Sequence, residues 1–281
     1  MKQLADANKD IFVSIIIPLY NKAELTARCL ETLFSHTPEG RYELVLVDNA
    51  STDRTSEVLD IMPPVVRVIR NSENIGFAGA CNQGAKVARG EYLLFLNNDT
   101  ELLSGWLEPL LHTMASDPAI AAVGSKLLFP DGTIQHAGVV IVDNRITNDP
   151  LCGEHIWRGK LADTPEANRQ RDYKALTAAC LLVRRQDFWT VGGFDEGYWN
   201  GYEDVDLCFK LLHQGKRLVY EPRSVLIHHE SKSGSERFRR AQDNIRRLHD
   251  RWLGKIHPDI RINPDNSYEW LDRSVPTGGF R

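Results

Sequence analysis

Apolar and polar residues alternate in two distinct patterns along the first half of the chain. Four short runs, rich in β-branched residues and leucine, are typical of buried strands: FVSIIIPLYN, YELVLVDNAS, VVRVIRN and EYLLFLNND. Between them lie three segments that predict helices: KAELTARCLETLFSH, STDRTSEVLDIM and GFAGACNQGAKVA. This alternation predicts right-handed βαβ units that build a parallel sheet.

Three of these four predicted strands end in short polar side chains. Asn21 follows the first, Asp48 and Asn49 end the second, and the fourth runs into NND at residues 97–99. A single such end is explained by a turn, because Asn and Asp commonly terminate strands. The carboxyl ends of parallel strands meet at one edge, where ligands of such sheets bind. Three polar ends on that edge therefore favour a binding site.

The second half of the chain is less regular. Residues 120–142 predict paired strands around the turn PDG, and KALTAACLLVRR predicts another strand. Residues 143–172 are polar and irregular, which is typical of a long flexible loop. EDVDLCFKLLHQG has acids in its first turn and Gly215 just past its end, so it predicts a helix. RLVYEP and SVLIHH predict short strands, and SERFRRAQDNIRRLHDRWLGKI predicts a basic helix whose apolar face is Phe238, Ile245, Leu248 and Trp252.

Composition limits the class of protein. The chain has 281 residues, 42% of them apolar and 26% charged, as in an ordinary globular domain. Its formal net charge of -4 argues against a nucleic-acid-binding protein. Five scattered cysteines without C-x-x-C spacing predict reduced thiols. No signal region and no membrane-spanning run is recognisable, so we expect a cytoplasmic protein, with peripheral contact at the inner face of the membrane left open.

Two common nucleotide-binding signatures are absent. No G-x-G-x-x-G follows the first predicted strand. GEHIWRGK has one residue too many for a phosphate-binding loop and lacks Ser or Thr after its lysine. The sequence therefore argues against an ordinary dehydrogenase or ATPase.

Five segments, taken in order, closely resemble the family-two glycosyltransferases: VSIIIPLYNKAELTARCLETL, YELVLVDNASTDRT, NSENIGFAGACNQGAKVARGEYLLFLNNDTEL, GGFDEGYWNGYEDVDLCFKL and LIHHESKSG. The resemblance implies an α/β protein of the GT-A fold, with a mixed, mostly parallel sheet flanked by helices and a Rossmann-like N-terminal half. We expect one domain over residues 1–281. Within it, residues 12–125 would bind the nucleotide sugar, 126–233 would carry acceptor and catalytic groups, and 234–281 would form a helical tail.

The resemblance also implies where the nucleotide sugar binds. The implied residues are Pro18, Tyr20, Asn21, Asp48, Asn49, Asn74, Gly76, Asn82, Asn97 and Asn98. Asp48 is suited to accept hydrogen bonds from the base or ribose, or it caps the helix that begins in STDRT. The small residues of NIGFAGACNQG let backbone approach a ligand closely, but tight packing of helix on sheet explains them equally well.

The segment NND takes the place of the acidic D-x-D-like motif usual in the family. Asn97 replaces the first acid and Asn98 spaces the motif or contacts the sugar, which leaves Asp99 as the single carboxylate for a divalent cation. Mg²⁺ or Mn²⁺ is implied, and Mg²⁺ tolerates one or two carboxylates beside phosphate oxygens and water. The resemblance implies that His228 completes this site, although a histidine at a strand end is often structural. His229 would then point to the other side of the strand.

The segment YEDVDL is expected to supply the catalytic base. The resemblance implies that Asp204 takes the proton of the acceptor hydroxyl and that Glu203 positions the acceptor or its neighbour. Acids also favour helix N-termini for electrostatic reasons alone, and Asp206 is interpreted in that structural way. Trp199 and Tyr202 either stack on sugar or pack in the core. Further candidates for phosphate contacts are Ser231, Lys232 and Ser233, whereas His136 is explained by strand alternation.

The resemblance, together with these residues, implies a metal-dependent inverting glycosyltransferase. We expect transfer of a hexosyl or deoxyhexosyl group from a nucleotide sugar to a glycan, lipid-linked or protein acceptor, in surface polysaccharide or glycoconjugate synthesis. A nucleotidyltransferase is one alternative, but PLYNKAELT lacks the glycine-rich, basic loop it would need. A non-catalytic module that binds sugar nucleotides is another, supported by the loss of the first motif acid. The basic tail helix packs on the domain or contacts an anionic membrane.

Overall fold

A computed structural model of the protein describes residues 13–38, 40, 42–229, 240–272 and 274. In its first half, strands and helices alternate as the apolar pattern predicts. The elements are β1 (Val13–Leu19), α1 (Ala23–His36), β2 (Tyr42–Asp48), α2 (Thr55–Asp60), β3 (Arg67–Arg70), α3 (Gly76–Val87) and β4 (Tyr92–Leu96). The predicted βαβ order is confirmed.

The second half contains more strands than its sequence pattern predicts. Its elements are β5 (Thr100–Leu102), α4 (Leu107–Ser116), β6 (Ile120–Leu128), β7 (Ile134–His136), β8 (Val139–Asn144), β9 (Asp149–His155), a 3-10 helix (Pro165–Asn168), β10 (Arg171–Asp172), β11 (Cys180–Arg184), α5 (Arg185–Thr190), α6 (Glu203–His213), β12 (Arg217–His228), α7 (Ala241–Trp252), β13 (Ile260–Ile262) and β14 (Tyr268–Trp270). The helix expected in EDVDLCFKLLHQG is α6, and Gly215 has a φ of 72° just after it. The two short strands expected in RLVYEP and SVLIHH are one strand, β12, with an irregularity between Glu221 and Val225.

Among the described residues, ten strands form the larger sheet and four form a second one. The larger sheet has the order β10-β12-β6-β11-β4-β1-β2-β3, with β5 beside β12 and β7 beside β6. The second sheet has the order β14-β13-β8-β9. Strands β3, β2, β1 and β4 are mutually parallel, which is the Rossmann-like half.

Strand direction decides which side chains can share an edge. β11 is antiparallel to both β4 and β6, so β6 runs parallel to β4, and β12 runs parallel to β6. The carboxyl ends of β1, β2, β4 and β12 therefore lie at one edge of the sheet, together with the start of β11. The order of the strands reverses between β1 and β4, which is where sheets of this kind bind ligands.

Both faces of the larger sheet are covered, so its central strands are continuously apolar. Ile15 and Ile17 of β1 belong to a core that includes α1 and α4. Ile16, between them, points into a second core that includes α3 and α6. All five cysteines lie in described positions, where they are buried and unpaired. The predicted absence of a disulfide frame agrees with this arrangement.

Residues 143–172 are not the long irregular loop that their polarity predicts. β9 pairs antiparallel with β8, with Val139 opposite His155, and a short 3-10 helix follows. The pattern is misleading because only Leu151 and Cys152 of β9 are buried. The strand is defined by its hydrogen-bonded partner β8 and not by its own alternation.

The C-terminal tail is only partly helical. Leu248 and Trp252 of α7 are buried against the domain, so the interpretation in which the apolar face packs inward is confirmed for them. Phe238 lies outside the described residues. After α7, β13 pairs with β8 and extends the second sheet, which the sequence pattern did not predict. Within the described ranges, every helix is too short or too polar to span a bilayer.

Asp206 joins α6 to this tail. Its carboxylate is fully buried and accepts hydrogen bonds from Trp252 Nε1 at 2.8 Å and from Arg251 at 2.9 and 3.0 Å. Arg247 forms a second link, to Asp195 at 2.9 Å. The structural role expected of Asp206 agrees with these contacts, whereas two of the tail arginines expected to be solvated, Arg247 and Arg251, are ion-paired with the rest of the domain.

The packing of α3 on β1 gives a prediction about its glycines. A Cβ on Gly84 would lie 2.5 Å from Ile16 Cγ2 in the fully buried strand β1, whereas one on Gly79 would meet only the partly exposed Ile75 side chain at 3.2 Å. We expect Gly84→Ala to lower the free energy of unfolding by about 1–3 kcal/mol, because overpacking outweighs the gain of about 1 kcal/mol in helix propensity. Gly79→Ala is the matched control and should be neutral or stabilising. Urea denaturation of both variants measures this, and equal stabilities would contradict the packing argument.

Candidate active site

The polar strand ends lie at one edge of the larger sheet, as their positions in the sequence predict. Asn49 N donates to Leu19 O at 2.8 Å, which ties the end of β2 to the end of β1. Asn97 N donates to Ala179 O at 3.0 Å, which ties the end of β4 to the start of β11. These main-chain bonds hold the candidate residues of three segments at one edge of the sheet, which is called the rim below.

The loop after β1 is held in an unusual conformation by Asn21. Asn21 and the residue after it have φ values of 58° and 67°, in the left-handed region that is costly for residues other than glycine. Asn21 Oδ1 accepts a hydrogen bond from Thr52 N at 2.7 Å, and Asn21 N donates to Ser51 Oγ at 2.8 Å. The loops after β1 and β2 are thereby joined. Tyr20, beside Asn21, is 49% exposed at this rim.

Asp48 ends β2 with a buried carboxylate. Its Oδ1 accepts a hydrogen bond from Ser51 N at 2.9 Å, which forms a tight turn. At the start of helix α2, Thr55 N donates instead to Asp53 Oδ1, at 2.9 Å. The alternative in which Asp48 caps this helix is therefore not observed. Pro18, half-buried, lies one residue before the end of β1 and pairs with Val47 of β2.

Asn49 is occupied by contacts within the protein. Its Nδ2 donates to Asn74 Oδ1 at 2.8 Å and to Gly76 O at 3.1 Å. Its Oδ1 accepts from Asn71 Nδ2 at 3.1 Å and from Ile75 N at 3.0 Å. The amide thus organises the loop that leads into α3, and a contact between Asn49 or Asn74 and a nucleotide sugar stays a prediction.

Two residues of α3 contact the second half of the chain. Gly76 has a φ of 78°, and a Cβ there would lie 3.3 Å from the ring of Trp199. Asn82 Nδ2 donates to Phe194 O and its Oδ1 accepts from Phe194 N, both at 2.9 Å. Asn82 also donates to Glu196 Oε1 at 2.9 Å. Part of the small-residue pattern in α3 therefore reflects contact between the two halves, and sugar binding by Asn82 stays a prediction.

Asp99 and His228 form a close, nearly buried pair. Asp99 Oδ1 lies 3.0 Å from His228 Nε2, with the two side chains 14% and 9% exposed. Asn97 Nδ2 lies 3.2 Å from the same ring nitrogen.

The chemistry of this pair fits a divalent cation. Gln135 Oε1 lies 2.6 Å from His228 Nδ1, so that nitrogen carries a hydrogen, and in the neutral ring Nε2 keeps a lone pair on the side of Asp99. Asp99 Oδ1 is buried and accepts no hydrogen bond. Two lone pairs 3.0 Å apart are stable beside a cation, and a carboxylate oxygen and an imidazole nitrogen are both metal ligands. Among the described residues, His, Cys, Asp and Glu form no group of three around a metal, so phosphate oxygens and water would supply the other ligands.

The residues next to this pair face other partners. Asn98 Nδ2 donates to Thr26 Oγ1 at 2.9 Å and to Asn21 O at 3.3 Å, which holds the start of α1. His229 Nε2 lies 2.7 Å from Glu101 Oε1, so its ring turns away from Asp99 as strand alternation predicts. Three candidates for phosphate contacts lie outside the described residues: Ser231, Lys232 and Ser233.

Asp204 lies on the first turn of α6 and is linked to the NND segment through β11. Its Oδ2 accepts a hydrogen bond from Ala178 N at 3.1 Å, and its Oδ1 accepts from Val205 N at 2.9 Å. The next residue, Ala179, accepts from Asn97 N. Two adjacent residues before β11 therefore connect the candidate base to the candidate metal segment. The side chain of Asp204 is partly exposed at the rim.

Glu203 and Tyr202 shape the loop before α6. Glu203 is 7% exposed, and its Oε2 accepts a hydrogen bond from Gly201 N at 2.5 Å. Tyr202 has a φ of 70°, a left-handed conformation that is costly for a large side chain. Burial also raises the pKa of the Tyr202 phenol. Glu203 therefore stabilises a strained turn beside the candidate base.

Trp199 is held by the tail helix. Asn244 of α7 is 2% exposed and binds the main chain of Trp199 twice: Trp199 N donates to Asn244 Oδ1 at 3.0 Å, and Asn244 Nδ2 donates to Trp199 O at 2.9 Å. The Arg240 guanidinium lies 5.0 Å from the centre of the Trp199 ring. Trp199 therefore packs between α3 and α7, and stacking on a sugar stays a prediction.

Comparison with protein families decides what kind of protein this is. A family model described as glycosyl transferase family 2 matches residues 14–191, more than half of the chain. The chain belongs to glycosyl transferase family 2. The family expected from the sequence motifs is thereby confirmed. A second model, described as the N-terminal domain of galactosyltransferase, matches residues 161–230, which include Asp204 and His228.

One relative of this chain is the O-antigen biosynthesis protein RfbC of Myxococcus xanthus. It is 37% identical over 230 residues, which are 79% of this chain and 17% of that protein. The chain spans less than a third of the length of this and another curated relative, which is 33% identical over 277 residues.

Two solved glycosyltransferases have the same fold. GalNAc-T7, solved with UDP, GalNAc and Mn²⁺, gives a TM-score of 0.66 at 20% identity and covers 87% of this chain and 48% of its own. The mannosyltransferase PcManGT from Pyrobaculum calidifontis, solved with GDP-Man and Mn²⁺, gives 0.63 at 20% identity and covers 88% and 65%. The GT-A fold expected for this family-two chain is confirmed.

Sequence reasoning missed three residues that organise the site of this family-two protein. Gln135, Ala178 and Asn244 lie in segments that carry no motif. Ala178 acts through its main chain, which leaves no signal in the side chain. A polar residue at an apolar-face position is the one clue for Asn244, since it precedes Leu248 by four residues on α7.

The two hydrogen bonds between Asn244 and the main chain of Trp199 give a testable prediction. Asn244→Ala removes two buried hydrogen bonds and leaves the Trp199 main chain unpaired, so we expect the free energy of unfolding to fall by about 1–3 kcal/mol. Gln242→Ala, at an exposed position of the same helix, is the matched control and should be neutral. Chemical denaturation followed by tryptophan fluorescence measures both. Equal stabilities of the two variants would mean that the loop is held by other contacts.

Proposed function

We propose that this protein is a metal-dependent inverting glycosyltransferase that moves a sugar from a nucleotide sugar to a hydroxyl group. The supporting observation is the contact chain across the sheet edge: His228 to Asp99 and Asn97, Asn97 to Ala179, and Ala178 to Asp204. A cation-binding pair and a rim carboxylate are thereby held on one rigid framework. Family membership favours this function over the nucleotidyltransferase alternative.

The loops after β1 and β2 would bind the nucleotide. Asp48 presents a buried carboxylate at the end of β2, and Tyr20 presents an exposed ring at the end of β1. A carboxylate suits the hydroxyls of a ribose, and an aromatic ring suits the face of a base. The solved proteins of the same fold contain UDP or GDP-Man, which supports a nucleotide-linked sugar as the ligand.

Asp99 and His228 would hold the divalent cation. When bound, such a cation neutralises charge on the diphosphate leaving group. Both solved proteins contain Mn²⁺, and the unpaired oxygen of Asp99 supports the same requirement here. Asn97, which replaces the first acid of the usual motif, lies 3.2 Å from His228 and adds no charge.

Asp204 would act as the general base. Its two oxygens accept hydrogen bonds from Ala178 N and Val205 N, so the carboxylate is fixed in place at the rim. The acceptor oxygen forms a bond to the anomeric carbon, the bond from that carbon to the diphosphate breaks, and the hydroxyl proton passes to Asp204. A single displacement of this kind inverts the anomeric configuration. Glu203 stabilises the turn that carries Asp204.

The acceptor is proposed to be a growing surface glycan, free or lipid-linked. The named relative, an O-antigen biosynthesis protein, supports polysaccharide synthesis. A protein acceptor stays the second candidate, supported by the same fold in GalNAc-T7. The sugar donor is best identified by ranking UDP-, dTDP- and GDP-sugars by the thermal stabilisation they give with Mn²⁺.

Metal dependence is tested by removing one ligand. Asp99→Asn should weaken Mn²⁺ binding by about tenfold or more, since even residues behind the ligands contribute that much to affinity. EDTA should abolish hydrolysis of the selected nucleotide sugar, and added Mn²⁺ or Mg²⁺ should restore it. Asp243→Asn, which removes an exposed carboxylate on α7, is the control. Full activity in EDTA would exclude the metal from the proposal.

The base is tested separately. We expect Asp204→Asn to slow release of the nucleoside diphosphate by about 100-fold or more, because proton transfer by a positioned group contributes that much. Binding of the nucleotide sugar should change little, and Asp250→Asn, at an exposed position of α7, should behave like the parent. Hydrolysis and thermal-shift assays measure the two quantities. Unchanged hydrolysis in Asp204→Asn would remove Asp204 as the base, and no release by the parent would favour the non-catalytic module.

A further inference from the structure

Gln135 contacts His228 from the side opposite Asp99. It lies in β7, a short strand that pairs antiparallel with the end of β6, and its side chain is 3% exposed. Gln135 Oε1 lies 2.6 Å from His228 Nδ1, and Gln135 Nε2 donates to the main-chain His228 O at 3.2 Å. One amide therefore contacts both the ring and the backbone of the same histidine.

The second of these contacts fixes the orientation of the amide. The carbonyl oxygen of His228 can only accept, so the group facing it must be the NH₂ of Gln135. A flipped amide would bring two oxygens together at 3.2 Å. The oxygen of Gln135 consequently faces Nδ1 of His228, and that nitrogen must carry a hydrogen.

We propose that Gln135 is a positioning residue that selects the ring tautomer of His228, an inference that rests on the proposed metal site. With the hydrogen on Nδ1, the neutral ring directs the lone pair of Nε2 towards Asp99. The other tautomer would place a hydrogen on Nε2, 3.0 Å from Asp99 Oδ1. That hydrogen would bind the carboxylate and prevent Asp99 and His228 from binding a cation together. Gln135 thus keeps both side chains able to bind the cation.

The strand that carries Gln135 is itself held firmly. Ile134 N donates to Lys160 O at 2.7 Å, and Gly159 N donates to Ile134 O at the same distance. His136 Nδ1 lies 2.8 Å from His155 Nδ1. Both neighbours of Gln135 are therefore held by contacts in addition to β6, which fixes the backbone that carries the amide.

The experiment compares three variants. Gln135→Met keeps the length of the side chain but removes the acceptor for Nδ1–H. Gln135→Glu keeps an oxygen opposite Nδ1 but gives up the amide donor to His228 O, so it separates the two contacts of the side chain. Gln170→Met is the matched control, because Gln170 donates to Thr113 and Glu221 at the other end of β12 and does not contact the pair. Thermal unfolding of each variant checks that it folds.

Two measurements are needed, one with Mn²⁺ and one without any metal. Titration with Mn²⁺ followed by electron paramagnetic resonance should show affinity lowered about 10- to 100-fold in Gln135→Met and little changed in Gln135→Glu and Gln170→Met. In alkaline, metal-free buffer, ¹⁵N resonance of His228 should show hydrogen on Nδ1 in the parent and Gln135→Glu. In Gln135→Met it should shift towards Nε2.

The possible failures can be told apart. Equal Mn²⁺ affinity in parent and Gln135→Met, or hydrogen on Nε2 in the parent, overturns the role of Gln135 while the metal site stands. A parent protein that binds no Mn²⁺ overturns the metal site and this inference together. Loss of affinity in Gln170→Met to the same extent as in Gln135→Met also overturns the inference, because the effect would then be general.

Discussion

The site depends on the way β11 enters the sheet. This strand is inserted antiparallel between β4 and β6, so it begins at the edge where its neighbours end. The main-chain groups just before it are therefore available to bind the ends of other elements at that edge. Ala179 accepts from Asn97, and Ala178 donates to Asp204. The distance between the candidate metal segment and the candidate base is consequently set by backbone geometry, which varies much less than side-chain packing does.

Asparagine dominates the rim, and charge explains why this suits the proposed chemistry. An amide both donates and accepts, so Asn21 and Asn49 can each satisfy several main-chain and side-chain groups in loops without regular structure. A carboxylate in their place could only accept and would add negative charge to an edge proposed to bind a diphosphate. The proposal needs negative charge at three positions of this edge, Asp48, Asp99 and Asp204, and each of them keeps a carboxylate.

The sequence predicts the parts of this fold that follow from local pattern. β1 to β4 and their helices are found because buried parallel strands are continuously apolar. The residues of the rim are found because the apolar runs show where each strand ends. β9, β13 and β14 are missed because they are short or half exposed and are strands only by virtue of their partners. For the site, motifs find the residues proposed to touch ligands. They do not find Gln135 or Asn244, whose importance comes from a single contact partner distant in sequence.

The buried carboxylate of Asp206 has a consequence for the order in which the chain folds. Its partners Arg251 and Trp252 follow 45 and 46 residues later, so during synthesis the acid emerges with Lys210, four residues on, as its early counter-charge and without the partners that enclose it in the folded protein. The N-terminal βαβ half, by contrast, closes through contacts between neighbouring elements and can collapse early. We therefore expect a nascent chain whose first half is folded while its second half is still hydrated and incompletely packed. The second half would complete its packing when α7 is synthesised.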